Sequence, residues 1–163
     1  MKNLLILLFL LLTTASNSKE LICYFEEVYR DGEVQQGIFL YKNKSLRYEY
    51  FKKNLYTIFK KKDDFFIQRN DNREVVQKIN DNAYLINKIS DLIENYPSKT
   101  KEYQVDNYLI NLYASKKFNF YNRIGIKSVD LNLNIYFNDC LEKKIHQKFF
   151  SFNPFFSYEL ISN

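Results

Sequence analysis

Apolar and charged residues alternate one by one through Leu46-Arg47-Tyr48-Glu49-Tyr50. A period of two resolves into two faces only on an extended strand, so Leu46, Tyr48 and Tyr50 share one face and Arg47 and Glu49 the other. Comparable short apolar stretches precede and follow it at hairpin spacing. Leu21 to Arg30, Val34 to Tyr41, Leu55 to Phe59, Phe65 to Arg69 and Glu74 to Ile79 all read as strands. Between them stand Asp31-Gly32, Lys42 to Ser45, Lys53-Asn54, Lys61 to Asp64 and Asn70 to Arg73, residues that favour turns through local hydrogen bonds or left-handed backbone. An antiparallel meander is expected up to residue 79.

The period then changes. Asn82 can cap a helix in which Leu85, Ile89, Leu92 and Ile93 recur on one face, ending at Asn95-Tyr96-Pro97. Strands resume with Tyr103 to Val105, Tyr108 to Tyr113, Phe118 to Ile126 and Leu131 to Phe137. Asn138-Asp139 is read as a turn and Ile145 to Phe152 as a last strand. The fold class is therefore mainly β with a small helical insert, an incompletely closed antiparallel barrel or curved sheet with a helical lid.

At the N-terminus, Lys2 precedes the apolar run Leu4 to Leu12, followed by the small polar stretch Thr13 to Ser18. A bilayer core needs about 20 apolar residues as a helix, so the run reads as the core of a cleavable signal peptide, residues 1–18. Cleavage is expected after Ser18, with Ala15 as second choice. Cys23 follows Glu20-Leu21-Ile22 and lacks the small residue that a lipidation site wants before its cysteine. Residues 19–163 suffice for one domain with its own core, expected as a periplasmic monomer. Cys23 and Cys140 are the only cysteines and are candidates for a disulfide in an oxidising compartment, although sequence alone does not bring the sulfurs together.

The net charge of +5 is spread among interspersed acids, and the single basic run Lys60-Lys61-Lys62 suits a hairpin loop; nucleic acid is not an expected partner. His146 is the only histidine and has no metal partner in sequence, and Asp63, Asp64 and Asp139 sit at expected turns. No nucleophile elbow, metal-binding cysteine spacing or phosphate loop is present. The expectation is a binding or carrier protein, not an enzyme, with no metal and no cofactor.

Fifteen Phe and fourteen Tyr are more apolar rings than a small sheet and one helix readily cover. Phe25, Tyr29, Ile38, Leu40, Leu46, Tyr48, Tyr50, Phe59, Phe65 and Ile67 come from successive strands and can converge on one concave face beneath Leu85, Ile89 and Leu92. They either pack on the helix and each other or line a cavity suited to hydrocarbon.

The run Gly37-Ile38-Phe39-Leu40-Tyr41-Lys42-Asn43-Lys44-Ser45-Leu46-Arg47-Tyr48-Glu49-Tyr50 resembles the LolA family of periplasmic outer-membrane lipoprotein carriers. Lys42 stands at the family's basic position, and Leu46-Arg47-Tyr48-Glu49-Tyr50 at its aromatic-Arg-Trp-Glu-Tyr run. Asn43-Lys44 replaces its Pro-Gly turn. The resemblance extends over residues 21–137, with 81–96 where the family places lid helices. It implies a carrier that receives acylated lipoproteins from an inner-membrane lipoprotein-release transporter and passes them to an outer-membrane acceptor. The strand residues above, together with Leu85, Ile89 and Leu92, would then form the lipid site, with Lys42 and Arg47 controlling the lid. The alternative of the same architecture is an envelope lipid-binding or lipoprotein-sensing protein with another ligand.

Overall fold

In the computed structural model, the described residues are 19–79 and 84–152. The expected signal peptide, the Asn82 cap and residues 153–163 lie outside them.

Among the described residues, ten strands form one antiparallel sheet: β1 (Glu20–Tyr29), β2 (Val34–Lys42), β3 (Ser45–Tyr50), β4 (Tyr56–Lys61), β5 (Asp64–Arg69), β6 (Val76–Ile79), β7 (Glu102–Val105), β8 (Tyr108–Ala114), β9 (Tyr121–Lys127) and β10 (Asn132–Glu142). Their order is β6-β5-β4-β3-β2-β1-β10-β9-β8-β7. Each half is a meander, and the halves join where β1 pairs with β10. The sheet is not closed into a barrel, since β6 and β7 remain its two edges. The helix α1 (Tyr84–Glu94) lies in the connection between those edges, so the chain passes from one rim of the sheet to the other by way of the helix.

Turn chemistry follows the residues present. Arg30-Asp31-Gly32 make a three-residue hairpin loop, with Gly32 at φ +86° and its N–H donating to the Tyr29 carbonyl. It is one residue longer than the two-residue Asp-Gly turn read from the sequence, and the left-handed glycine after a tight turn is the usual three-residue solution. Asn43 and Lys44 both take positive φ between paired Lys42 and Ser45, as a two-residue hairpin matching strand twist requires.

Two further expectations are corrected. Asn138-Asp139 is no turn: β10 runs through it, and Asp139, at φ 48°, accompanies a bulge that shifts the register between Ile22 and Tyr24. A residue that tolerates left-handed backbone serves a bulge as well as a turn. Ile145 to Phe152 is not a strand. It contains a single 3-10 turn, Gln147–Phe150, capped where the His146 imidazole accepts the Lys148 N–H at 3.1 Å.

This segment explains the apolar surplus. The inner face of the sheet, with Leu21, Cys23, Phe25, Phe39, Phe120, Ile124, Ile135 and Phe137, packs with Leu92 and Ile93 of α1. On the outer face Ile38 and Leu40 are buried with Ile145 and Phe150. Both faces of the β1–β3 region are thus covered, one by α1 and one by the segment after β10. Cys23 and Cys140 form a disulfide across the β1–β10 seam.

Candidate functional site

The sheet bends round α1, so that residues of β3–β5 on one side and β9–β10 on the other line one cavity of about 300 Å³. Its walls include Leu46, Tyr48, Ile58 and Phe65 opposite Ile126, Leu133 and Ile135, and its roof is Leu85, Ile86, Ile89, Ser90 and Ile93. Strand parity selects the wall. Gly37 pairs with Phe25 and with Tyr50, and Phe39 with Cys23 and with Tyr48, so Phe25, Phe39, Leu46, Tyr48 and Tyr50 all point inward. Phe25 lies beneath the wall, stacked on Tyr48 with ring centroids 3.7 Å apart.

The candidates read from the sequence divide accordingly. Tyr29, Leu46, Tyr48, Tyr50, Phe65, Leu85 and Ile89 line the cavity. Phe25 and Leu92 belong to the core behind it, and the Leu92 carbonyl accepts the Tyr121 hydroxyl at 3.2 Å. Ile67 pairs with Ile58 on the inner face towards the β6 edge, without reaching the cavity wall. Ile38, Leu40 and Phe59 do not converge with the others. They face outward, where Phe59 meets Phe152 edge to face at 5.2 Å.

Lys42 and Arg47, expected to act on the lid, also face away from α1. Lys42 Nζ donates to the Ile145 carbonyl at 2.5 Å and pairs with Glu20 at 3.0 Å. Arg47 and Glu49, both 0 % exposed, form an ion pair at 2.5 Å; Arg47 Nη1 donates to the Phe149 carbonyl at 2.9 Å, and Arg73 approaches the other Glu49 oxygen at 2.5 Å. Burial pulls the Arg47 guanidinium below its ordinary range, and the Glu49 charge opposes that shift. Both cations therefore fasten the segment after β10 to the outer face. Lys60 of β4 instead ties α1 to the sheet, pairing with Glu94 at the helix's C-terminal end. Lys60 belongs to the basic run read as a hairpin loop; β4 extends through Lys61, and parity turns Lys60 inward.

One further inner-face residue is polar. Glu27, 4 % exposed, lines the cavity and accepts three tyrosine hydroxyls: Tyr48 on Oε1 at 2.7 Å, and Tyr29 and Tyr50 on Oε2 at 2.7 and 2.9 Å. Burial first, and the Glu27 carboxylate next, hold all three hydroxyls well above the ordinary phenol range. Tyr56 packs edge to face on Tyr50 at 5.2 Å and is raised in the same way. Glu27 was legible in principle, since period two along β1 places it with Phe25 and Tyr29.

Among the described residues there is no cluster of His, Cys, Asp and Glu that could hold a metal ion, and no helix long and apolar enough to cross a membrane. The arrangement offers hydrocarbon a roofed apolar slot with one carboxylate-and-phenol patch in its wall. Compared with known proteins, the sequence matches no protein-family model and no curated protein.

Proposed function

We propose that this chain is a carrier that shields acyl chains of lipoproteins in transit from an inner to an outer membrane. The observation that carries the reading is the apolar cavity between the sheet and α1, roofed by a helix that lies in the connection between β6 and β7, the sheet's edges among the described residues. The resemblance of Gly37 to Tyr50 to the LolA family agrees with it, and so do the open sheet and helical roof expected of that family. The Cys23–Cys140 disulfide suits an oxidising compartment such as the periplasm, where the signal-peptide reading puts the mature chain.

The role is physical, with no bond made or broken. Each buried methylene is worth about 0.8 kcal/mol, so complete enclosure of several chains would hold cargo too tightly to hand on. About 300 Å³ lies at the small end of the range of ligand pockets, roughly 300–1,000 Å³. Partial shielding keeps the grip weak enough for an apolar acceptor to take over. The cavity's size also favours a second reading, a lipid-binding protein of the same fold for single-chain lipids.

Native mass spectrometry and lipid extraction of the mature protein from an envelope fraction separate the two. Bound lipoprotein supports the carrier, free phospholipid or fatty acid supports the second reading, and a clean apo mass that takes up no added lipopeptide contradicts both.

A further inference from the structure

We propose that Glu27, Tyr48 and Tyr50 form a headgroup site that takes the free ammonium of a lipid-modified chain end whose acyl chains occupy the cavity. The inference rests on the carrier reading for the chains and goes beyond it for the headgroup.

Glu27 is a buried carboxylate without a cation. The ion pairs of the described residues join Lys42 to Glu20, Lys60 to Glu94, Arg69 to Asp71, Lys78 to Asp64, and Arg47 and Arg73 to Glu49, and none involves Glu27. A carboxylate offers about four lone-pair sites, and the three tyrosine hydroxyls leave one on Oε1. Its cross-strand partner on the inner face, Gln35, is also buried, and Gln35 Oε1 accepts no hydrogen bond among the described residues. Among the described residues, Glu27 therefore keeps an unused acceptor site and is in no ion pair. An ammonium supplies three donors and the missing charge, and the Tyr48 and Tyr50 hydroxyl oxygens beside Glu27 can accept from it as well.

A polar cleft with more acids than bases adjoins the cavity. Tyr29 and Leu131 line both the cavity and an adjoining surface cleft whose other walls are Arg30, Asp31, Asp130 and Asn132. A headgroup entering there meets two carboxylates and one guanidinium before reaching Glu27. Such a site distinguishes a diacylated terminal cysteine, whose α-amine is free, from a terminus on which that amine is acylated and uncharged.

The test measures binding of a synthetic diacylated lipopeptide with a free α-amine and of its N-acetyl counterpart, to the wild-type protein and to Glu27→Gln, which keeps an acceptor for the tyrosine hydroxyls but not the charge. The expected result is binding of the free amine about tenfold tighter in the wild type, corresponding to about 1.4 kcal/mol, and no preference in Glu27→Gln. Equal binding of the two lipopeptides by the wild type, or a preference kept in Glu27→Gln, overturns the headgroup site and leaves the carrier standing. Failure of both to bind the wild type overturns the carrier and the headgroup site together. Stronger competition with the free-amine peptide by lysophosphatidylethanolamine than by lysophosphatidylglycerol of the same acyl chain supports the ammonium site and shows that a membrane-lipid amine can fill it, while equal competition by the two counts against it.

Discussion

Phe25 lies flat on Tyr48, ring planes 17° apart, and it can do so because Gly37 has no side chain. A Cβ at Gly37 would run into the Phe25 ring and the Glu49 carbonyl oxygen. The cavity wall is thus built on a glycine in the middle of β2, a position where glycine is otherwise unfavourable. Gly37→Ala is expected to destabilise the fold by about 3 kcal/mol or more, the upper range for overpacking, because a backbone atom is among the obstacles. Urea unfolding checks this; an unchanged midpoint would mean that the ring and strand shift freely.

The Cys23–Cys140 bond closes a loop with a sequence separation of 117. The chain-entropy model gives about 4 to 5 kcal/mol for such a loop. Replacing both cysteines by alanine should lower the guanidinium midpoint accordingly, and adding reductant to the wild type should move it in the same direction. No change in either would show that the β1–β10 seam is held by strand pairing alone.

Glu49 is shared by two guanidinium groups on the face opposite the cavity. Glu49→Ala removes the carboxylate both approach, and a broken buried pair costs about 3 to 5 kcal/mol. The prediction is a large loss of stability with acyl-chain affinity kept in the molecules that remain folded. Lost affinity at full stability would contradict the separation of the two faces.

Lys60→Met should loosen α1 selectively. Its amide hydrogen exchange is expected to rise roughly fivefold, as for about 1 kcal/mol, while exchange in β1 and β10 stays unchanged. Equal protection of α1 in the two proteins would show that Lys60 does not restrain the helix.

The tyrosine hydroxyls around Glu27 give a pH dependence of definite sign. Their folded-state values lie above the ordinary 10.0, so the folded protein keeps protons that the unfolded chain releases. Their contribution to stability is full below pH 10 and is lost as pH rises above it. Absorbance at 295 nm should show exposed tyrosines ionising near pH 10 and the cluster ionising only with unfolding at higher pH. A single transition of all tyrosines near 10 in folded protein would contradict the cluster.

What could be read from sequence depended on whether alternation was present. β3 alternates strictly, and its inward set Leu46, Tyr48 and Tyr50 lines the cavity as the pattern implies. Gly37 to Tyr41 of β2 is apolar throughout, which leaves parity undetermined, and Ile38 and Leu40 point outward. Arg47 and Glu49 were legible as the other face of β3 but not as buried, because Arg47 is covered by the segment of Phe149, 102 residues along the chain, which composition cannot place. Lys60 and Glu27 are charged residues on an inner face, where partners found only in three dimensions make them tolerable. Phe149, Phe150 and Phe152 make the last segment read as a strand, whereas packing on Ile38 and Leu40 and the hydrogen bonds from Lys42 and Arg47 lay it across the outer face.

The central claim is that acyl chains occupy the space between α1 and the inner face. The most direct measurement is photocrosslinking with a lipopeptide carrying a diazirine at the end of one acyl chain, followed by peptide mapping. Adducts on Leu46, Ile58, Ile89, Leu133 or Ile135 are predicted. Adducts confined to Ile38, Leu40 and Ile145 on the outer face, or no specific adduct, would contradict it.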